Sequence, residues 1–236
     1  MRLYFTLFTF FTVFYANTSY AKILIGLSSE NGESLKYSQQ QFIGHLESAY
    51  NCVVEGLNGQ YSVTTVPQAR LIKMLADNEI DIAMPLLLLP ERDSFAKRSQ
   101  TIYKVNYELI THPHQYDLNL DTLRSKVIQQ GLVYKRGTGA RSLLFRYLEL
   151  NADSNQFQEH QVNTWRQSVD FVRHNRAAVT ALPSVIAKDI PLEYFDGLER
   201  IKMPTPELGF YMSRRFSQTT LAESINALAN QCAQQA

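Results

Sequence analysis

The chain has 236 residues, 23 Lys and Arg against 22 Asp and Glu, and a formal charge of +1, with no basic stripe of the kind that binds nucleic acid or membrane surface. Its size allows one large domain or two lobes, and its two cysteines are too few for a disulfide scaffold. Electrostatics alone therefore names no macromolecular partner.

The first 21 residues carry one charge, Arg2, then an apolar stretch from Leu3 to Ala16 and the small polar run Asn17 to Ala21, the layout of a cleaved secretory signal peptide. The apolar part is shorter than the roughly 20 residues that span a bilayer. No cysteine stands at the cleavage point, so a lipid anchor is not expected, and the mature chain from Lys22 is expected to be soluble and periplasmic. In that oxidising compartment Cys52 and Cys232 either form a disulfide or remain two buried thiols.

Lys22 to Leu27 reads as a short apolar strand, followed by loop residues. A helix is expected from about Leu35, with Phe42, Leu46, Ala49 and Val53 along one face, until Gly56 to Gly59 breaks it. Tyr61 to Val66 is β-rich, Pro67 suits the first turn of a helix carrying Leu71, Met74 and Leu75, and Asn78 is its stop signal. Ile80 to Leu89 reads as a strand buried on both faces, as in a parallel sheet, and Pro90 ends it. Arg92 follows at the strand's carboxyl end, where open α/β sheets bind ligands; the competing reading is a surface pair with Glu91 or Asp93.

Tyr103 to Thr111 reads as a further strand, and His112-Pro113-His114 punctuates the chain. Val127 to Tyr134 is strand-like and runs into Arg136-Gly137-Thr138-Gly139, after which Ala140 to Leu150 is helical. Thr164 to Gln167 fits a capping box before a helix bearing Trp165, Val169 and Val172. Ala177 to Leu182 is a strand ending at Pro183, Leu198 to Met203 another, and Glu207 to Ser213 the last. Ser217 is the expected cap of a final helix in which Leu221, Ile225, Leu228 and Cys232 share a face. The β-α-β order specifies an α/β protein with parallel sheets.

Four stretches together resemble the periplasmic solute-binding proteins of family 3: Val66-Pro67-Gln68-Ala69-Arg70 through Asn78 to Ala83, Pro90-Glu91-Arg92, Arg136-Gly137-Thr138-Gly139, and Phe171 to Ala181. The resemblance implies a two-lobed type II periplasmic-binding-protein fold, each lobe a mostly parallel sheet flanked by helices, with two hinge strands and a ligand closed between the lobes. It places residues 22–111 plus 205–236 in the first lobe and 112–204 in the second, which puts both cysteines in the first. It makes Arg92 the grip on a ligand carboxylate, for which a guanidinium offers a planar two-donor fork. It makes Thr138, Gly139 and Ala140 the second-lobe contacts at a helix start; beside them Arg141 is either a further anion donor or a solvent-facing helix residue.

The departures narrow the ligand. Where amino-acid binders of the family place hydroxyl residues, this chain has Pro85 and Leu87, and Pro183 stands where they hold the ligand's ammonium with an acid. Ordinary α-amino acids are therefore poor candidates, and a small anionic or carboxylate-bearing solute is expected. Tyr37, Tyr103 and Trp165 could stack on a flat ligand or simply pack.

No nucleophile elbow, metalloprotease helix or phosphate loop occurs, and two histidines around a proline lack a third ligand, so neither cofactor nor metal is expected. The resemblance implies a monomeric receptor serving an ABC permease. A membrane sensor module and a dehydratase-like enzyme are the alternatives on the same fold, the last needing an acid such as Glu30, Glu33 or Glu91.

Overall fold

The structure is a computed structural model describing residues 22–31, 34–113, 119–151 and 156–233; the expected signal peptide lies outside them. The chain begins with β1 (Ile23–Ser28), largely buried as its apolar run requires. The helix expected from Leu35 starts only at Glu47, because Lys36–Ser38 (β2) and Gln41–Ile43 (β3) form a hairpin. Gln39 and Gln40 both take positive φ, 50° and 65°, the backbone of a two-residue turn whose twist matches its strands. Phe42 is thus buried from a strand, 5.1 Å from the Tyr37 ring.

The helix α1 (Glu47–Glu55) follows, then β4 (Tyr61–Val66). Next come α2 (Gln68–Ala76), entered through Pro67, and β5 (Ile82–Leu87), buried throughout. Asn78 takes φ 57° just past α2, in keeping with a stop signal. Ala96–Arg98 (β6) and Tyr103–Lys104 (β7) are short edge strands.

Tyr107–Thr111 (β8) joins a second sheet, so the expected strand 103–111 is two strands in two sheets, split at Val105 and Asn106. This corrects the first boundary: the chain crosses before Tyr107, not at His112. His112 lies beyond the crossing with Nε2 2.7 Å from the Val172 carbonyl, and His114 is outside the described residues.

In the second lobe α3 (Leu120–Gln130) is capped by the Asn119 side chain and contains Val127, which was expected in a strand. Gly131, at φ 76°, releases the chain into β9 (Leu132–Lys135). After α4 (Ala140–Tyr147) comes β10 (Glu159–Val162), an edge strand that its polar sequence did not announce. The capping box of Thr164 and Gln167 forms at the start of α5 (Trp165–Arg173). β11 (Val179–Pro183), α6 (Ser184–Asp189) and β12 (Glu199–Lys202) complete the lobe.

The chain returns through 203–206 into β13 (Glu207–Ser213) and α7 (Thr220–Cys232). Thr219, not Ser217, caps α7; the Ser217 hydroxyl donates to the Arg214 carbonyl instead. The sheets run β4-β1-β5-β13-β6 and β10-β9-β11-β8-β12. Each has three parallel strands and then one antiparallel strand entering from the other lobe, β13 in the first and β8 in the second.

Proline is disfavoured inside a sheet, yet Pro85 sits in central β5. The ladder accommodates it. Pairing with β1 ends at Met84, and the register to β13 shifts between Gly209 and Tyr211, so Met84 and Pro85 together face Phe210 as a bulge in β5. Cys52 and Cys232 form a disulfide that joins α1 to α7 with Cα atoms 5.6 Å apart.

Candidate functional site

A cavity of about 560 Å³ lies where the two lobes face each other. The carboxyl ends of β1, β5, β9 and β11 reach it through Glu30, Leu87, Lys135 and Pro183. That is the position at which parallel α/β sheets present ligands, because helix starts and unpaired strand ends converge there.

Arg92 lines the cavity from the 3-10 turn Pro90–Ser94 and is 6% exposed. Its Nη1 donates to the Leu87 carbonyl at 2.8 Å, and among the described residues it makes no ion pair. The competing surface pairs do not form: Glu91 accepts from Ser142 Oγ across the lobes, and Asp93 faces Arg98 at 3.6 Å. Burial pushes the Arg92 guanidinium below its ordinary pKa, against the opposing pull of Tyr211 and Glu91.

The turn that carries Arg92 is held by Tyr211. Its hydroxyl donates to the Leu89 carbonyl at 2.9 Å and accepts from the Leu89 N–H at 2.8 Å, and its ring lies 6.0 Å from the guanidinium. Burial pushes the phenol up to about 12, so it remains a donor. We expect Tyr211→Phe to cost about 2 kcal/mol, since it strands two buried backbone groups. Urea unfolding measures this, and a loss under about 0.5 kcal/mol would show that Leu89 finds other partners.

The second-lobe turn also lies against the first lobe. Gly137, at φ 75°, approaches Ala69 so closely that an added Cβ would lie 2.7 Å from its nitrogen. At Gly139 a Cβ would lie 2.6 Å from Leu87 Cδ1 and 2.8 Å from Leu89 Cδ1. The glycines therefore let the lobes touch. Thr138 and Gly139 do line the cavity, but the Thr138 hydroxyl already donates to the Lys135 carbonyl at 2.8 Å.

Three expected contacts lie elsewhere. Ala140 is fully buried in the second-lobe core and its N–H meets Thr138 Oγ1 at 3.3 Å. Arg141 is held by both oxygens of Glu159, at 2.7 and 2.8 Å, outside the cavity lining. Tyr37 packs against Phe42 and Tyr61 on the first-lobe core. Leu87, Pro183 and Pro85 do line the cavity, as do Tyr103 and Trp165.

An ion pair between Lys135 and Glu30 crosses the cleft, and its role was not anticipated. Lys135 is 5% exposed, with Nζ 5.5 Å from the Trp165 ring centroid, while Glu30 Oε1 also accepts from Gln68 N at 3.3 Å. The signal was a lysine closing the otherwise apolar strand Leu132–Lys135. Beside Glu30, Asn31 lines the cavity and its Nδ2 is shielded without an acceptor. Lys104, Lys188 and Asp189 bring the lining's Lys and Arg to four against two carboxylates. Glu33 is outside the described residues, and among those no cluster of His, Cys, Asp and Glu could hold a metal. Nor is any described helix long and apolar enough to cross a membrane.

No family model and no curated protein matches the chain. Solved structures do. The arginine-, lysine-, histidine-binding protein ArtJ from Geobacillus stearothermophilus is 10% identical with a TM-score of 0.65, covering 91% of this chain and 90% of its own. The AvGluR1 ligand-binding domain, in complex with glutamate, is 13% identical at TM-score 0.68, covering 91% and 90%. The VFT2 domain of Bordetella pertussis BvgS is 18% identical at TM-score 0.61, covering 91% of each. The fold is thus the two-lobed type II fold of the periplasmic binding proteins, as the sequence led us to expect.

Proposed function

We propose that this chain binds a small carboxylate-bearing solute between its lobes in the periplasm and presents the closed form to an ABC-type importer. The observation that carries the reading is Arg92, a buried cation at the cavity wall that bonds a backbone carbonyl and, among the described residues, forms no ion pair. A buried charge left unpaired is costly, and a ligand anion removes that cost by accepting from the guanidinium. The excess of lysine and arginine over carboxylates in the lining acts in the same direction. Hinge closure then converts binding into a shape that a membrane partner reads.

Binding without turnover is favoured because Glu30 is engaged by Lys135 and Glu91 by Ser142, and Asp189, the other acid of the lining, is exposed to solvent. Export rests on the signal-like first 21 residues.

The test is thermal unfolding of the chain from Lys22 against a panel of small carboxylates, amines and neutral sugars. A solute that binds only the folded state stabilises by about 2.7 kcal/mol at 100 times its Kd. Saturable stabilisation by carboxylates alone is expected. Stabilisation by amines or sugars and by no carboxylate would overturn the proposal.

A further inference from the structure

Resting on that reading, we propose that the cleft selects a carboxylate bearing an uncharged oxygen acceptor, an oxo or acyl group, and rejects the amino acid of the same skeleton. The donors decide this. An ammonium has three N–H groups, and among the described residues Lys135 gives one of them to Glu30. Among the described residues its Nζ makes no other hydrogen bond, and the Trp165 ring lies 5.5 Å away in the same cavity lining. Asn31 Nδ2 adds a shielded donor without an acceptor. Donors in excess in the same cavity as Arg92 call for a ligand oxygen.

An ammonium in the same place would set donor against donor. It would also find Glu30 engaged, with one oxygen on Lys135 and the other on Gln68 N, while the lining's other carboxylate, Asp189, is exposed at the last position of α6, where water screens it. The subsite is neutral overall, because Glu30 balances Lys135, so a second carboxylate gains little there. Pro85, Leu87, Tyr107, Val185 and Ile186 give the cavity an apolar body suited to a branched aliphatic chain.

Four compounds of one skeleton separate these contributions: 4-methyl-2-oxopentanoate, N-acetylleucine, 4-methylpentanoate and leucine, each titrated calorimetrically into the chain from Lys22. The oxo acid or the acetylated acid is expected to bind about tenfold more tightly than the plain alkanoate, one buried hydrogen bond's worth. Leucine is expected to be weaker than either by about 100-fold or more, the effect of an unpaired buried charge. In the double variant Glu30→Gln/Lys135→Met, which removes both members of the pair together, the oxygen's advantage over the alkanoate is expected to fall below about threefold.

Leucine binding as tightly as its oxo analogue would overturn the inference and leave the carboxylate reading intact. Equal affinity for the alkanoate and the oxo and acyl acids would do the same. Binding of none of the four, with other carboxylates also inert, would defeat both.

Discussion

Replacing Cys52 and Cys232 together by alanine is expected to cost about 2–5 kcal/mol of folding stability, the high end being the chain-entropy value for so long a loop. The bridge spans 180 positions of sequence and so encloses the whole second lobe, although it staples two helices of the first. Its constraint falls mainly on the unfolded chain. In the folded chain α1 and α7 already pack side by side, with Val53 and Ile225 buried in the same core as Cys232. Urea unfolding of the double variant should match that of the reduced wild type. A change below about 1 kcal/mol in both would show that the denatured chain holds these helices together unaided.

Arg92→Met is expected to act in opposite directions on the empty and the occupied protein. The empty variant should melt no lower than wild type and up to about 2 kcal/mol more stably, since an unpaired buried cation gives way to an apolar chain of similar volume. Against this stands the loss of the 2.8 Å bond to the Leu87 carbonyl, worth about 1 kcal/mol. Carboxylate binding, by contrast, should weaken by about 2–5 kcal/mol, roughly thirtyfold or more. Calorimetric titration and thermal unfolding read the two halves separately. A variant that keeps wild-type carboxylate affinity would remove Arg92 from the site, and an empty variant destabilised by more than about 2 kcal/mol would make the arginine a structural group.

What could be read from the sequence follows the strength of the local signal. β5 announced itself by an unbroken apolar run ending at Pro90, and that fixed Arg92 at a strand end facing the cleft. The Thr164 and Gln167 capping box was equally plain, because both halves of the motif are local. The hairpin at 36–43 was missed since Phe42 sits at helical spacing from Leu46, and only the positive φ of Gln39 and Gln40 separates the two readings. β10 was missed because an edge strand with polar faces carries no periodic signal. The hinge at Val105 and Asn106 was hidden inside a continuous β-forming run, as both halves are strands that merely belong to different sheets. In the site, the Lys135 and Glu30 pair joins residues 105 positions apart, which pattern within one segment cannot show.

The glycine contacts have a kinetic consequence. Gly137 against Ala69 and Gly139 against Leu87 hold the lobes together, as do the pairs of Glu30 with Lys135 and Glu91 with Ser142. Entry then has to wait for these contacts to part, so the observed on-rate scales with the fraction of time the lobes stand open. Slow entry and a long solute residence time become two aspects of one gate, and a side chain added at Gly139 would shorten both together.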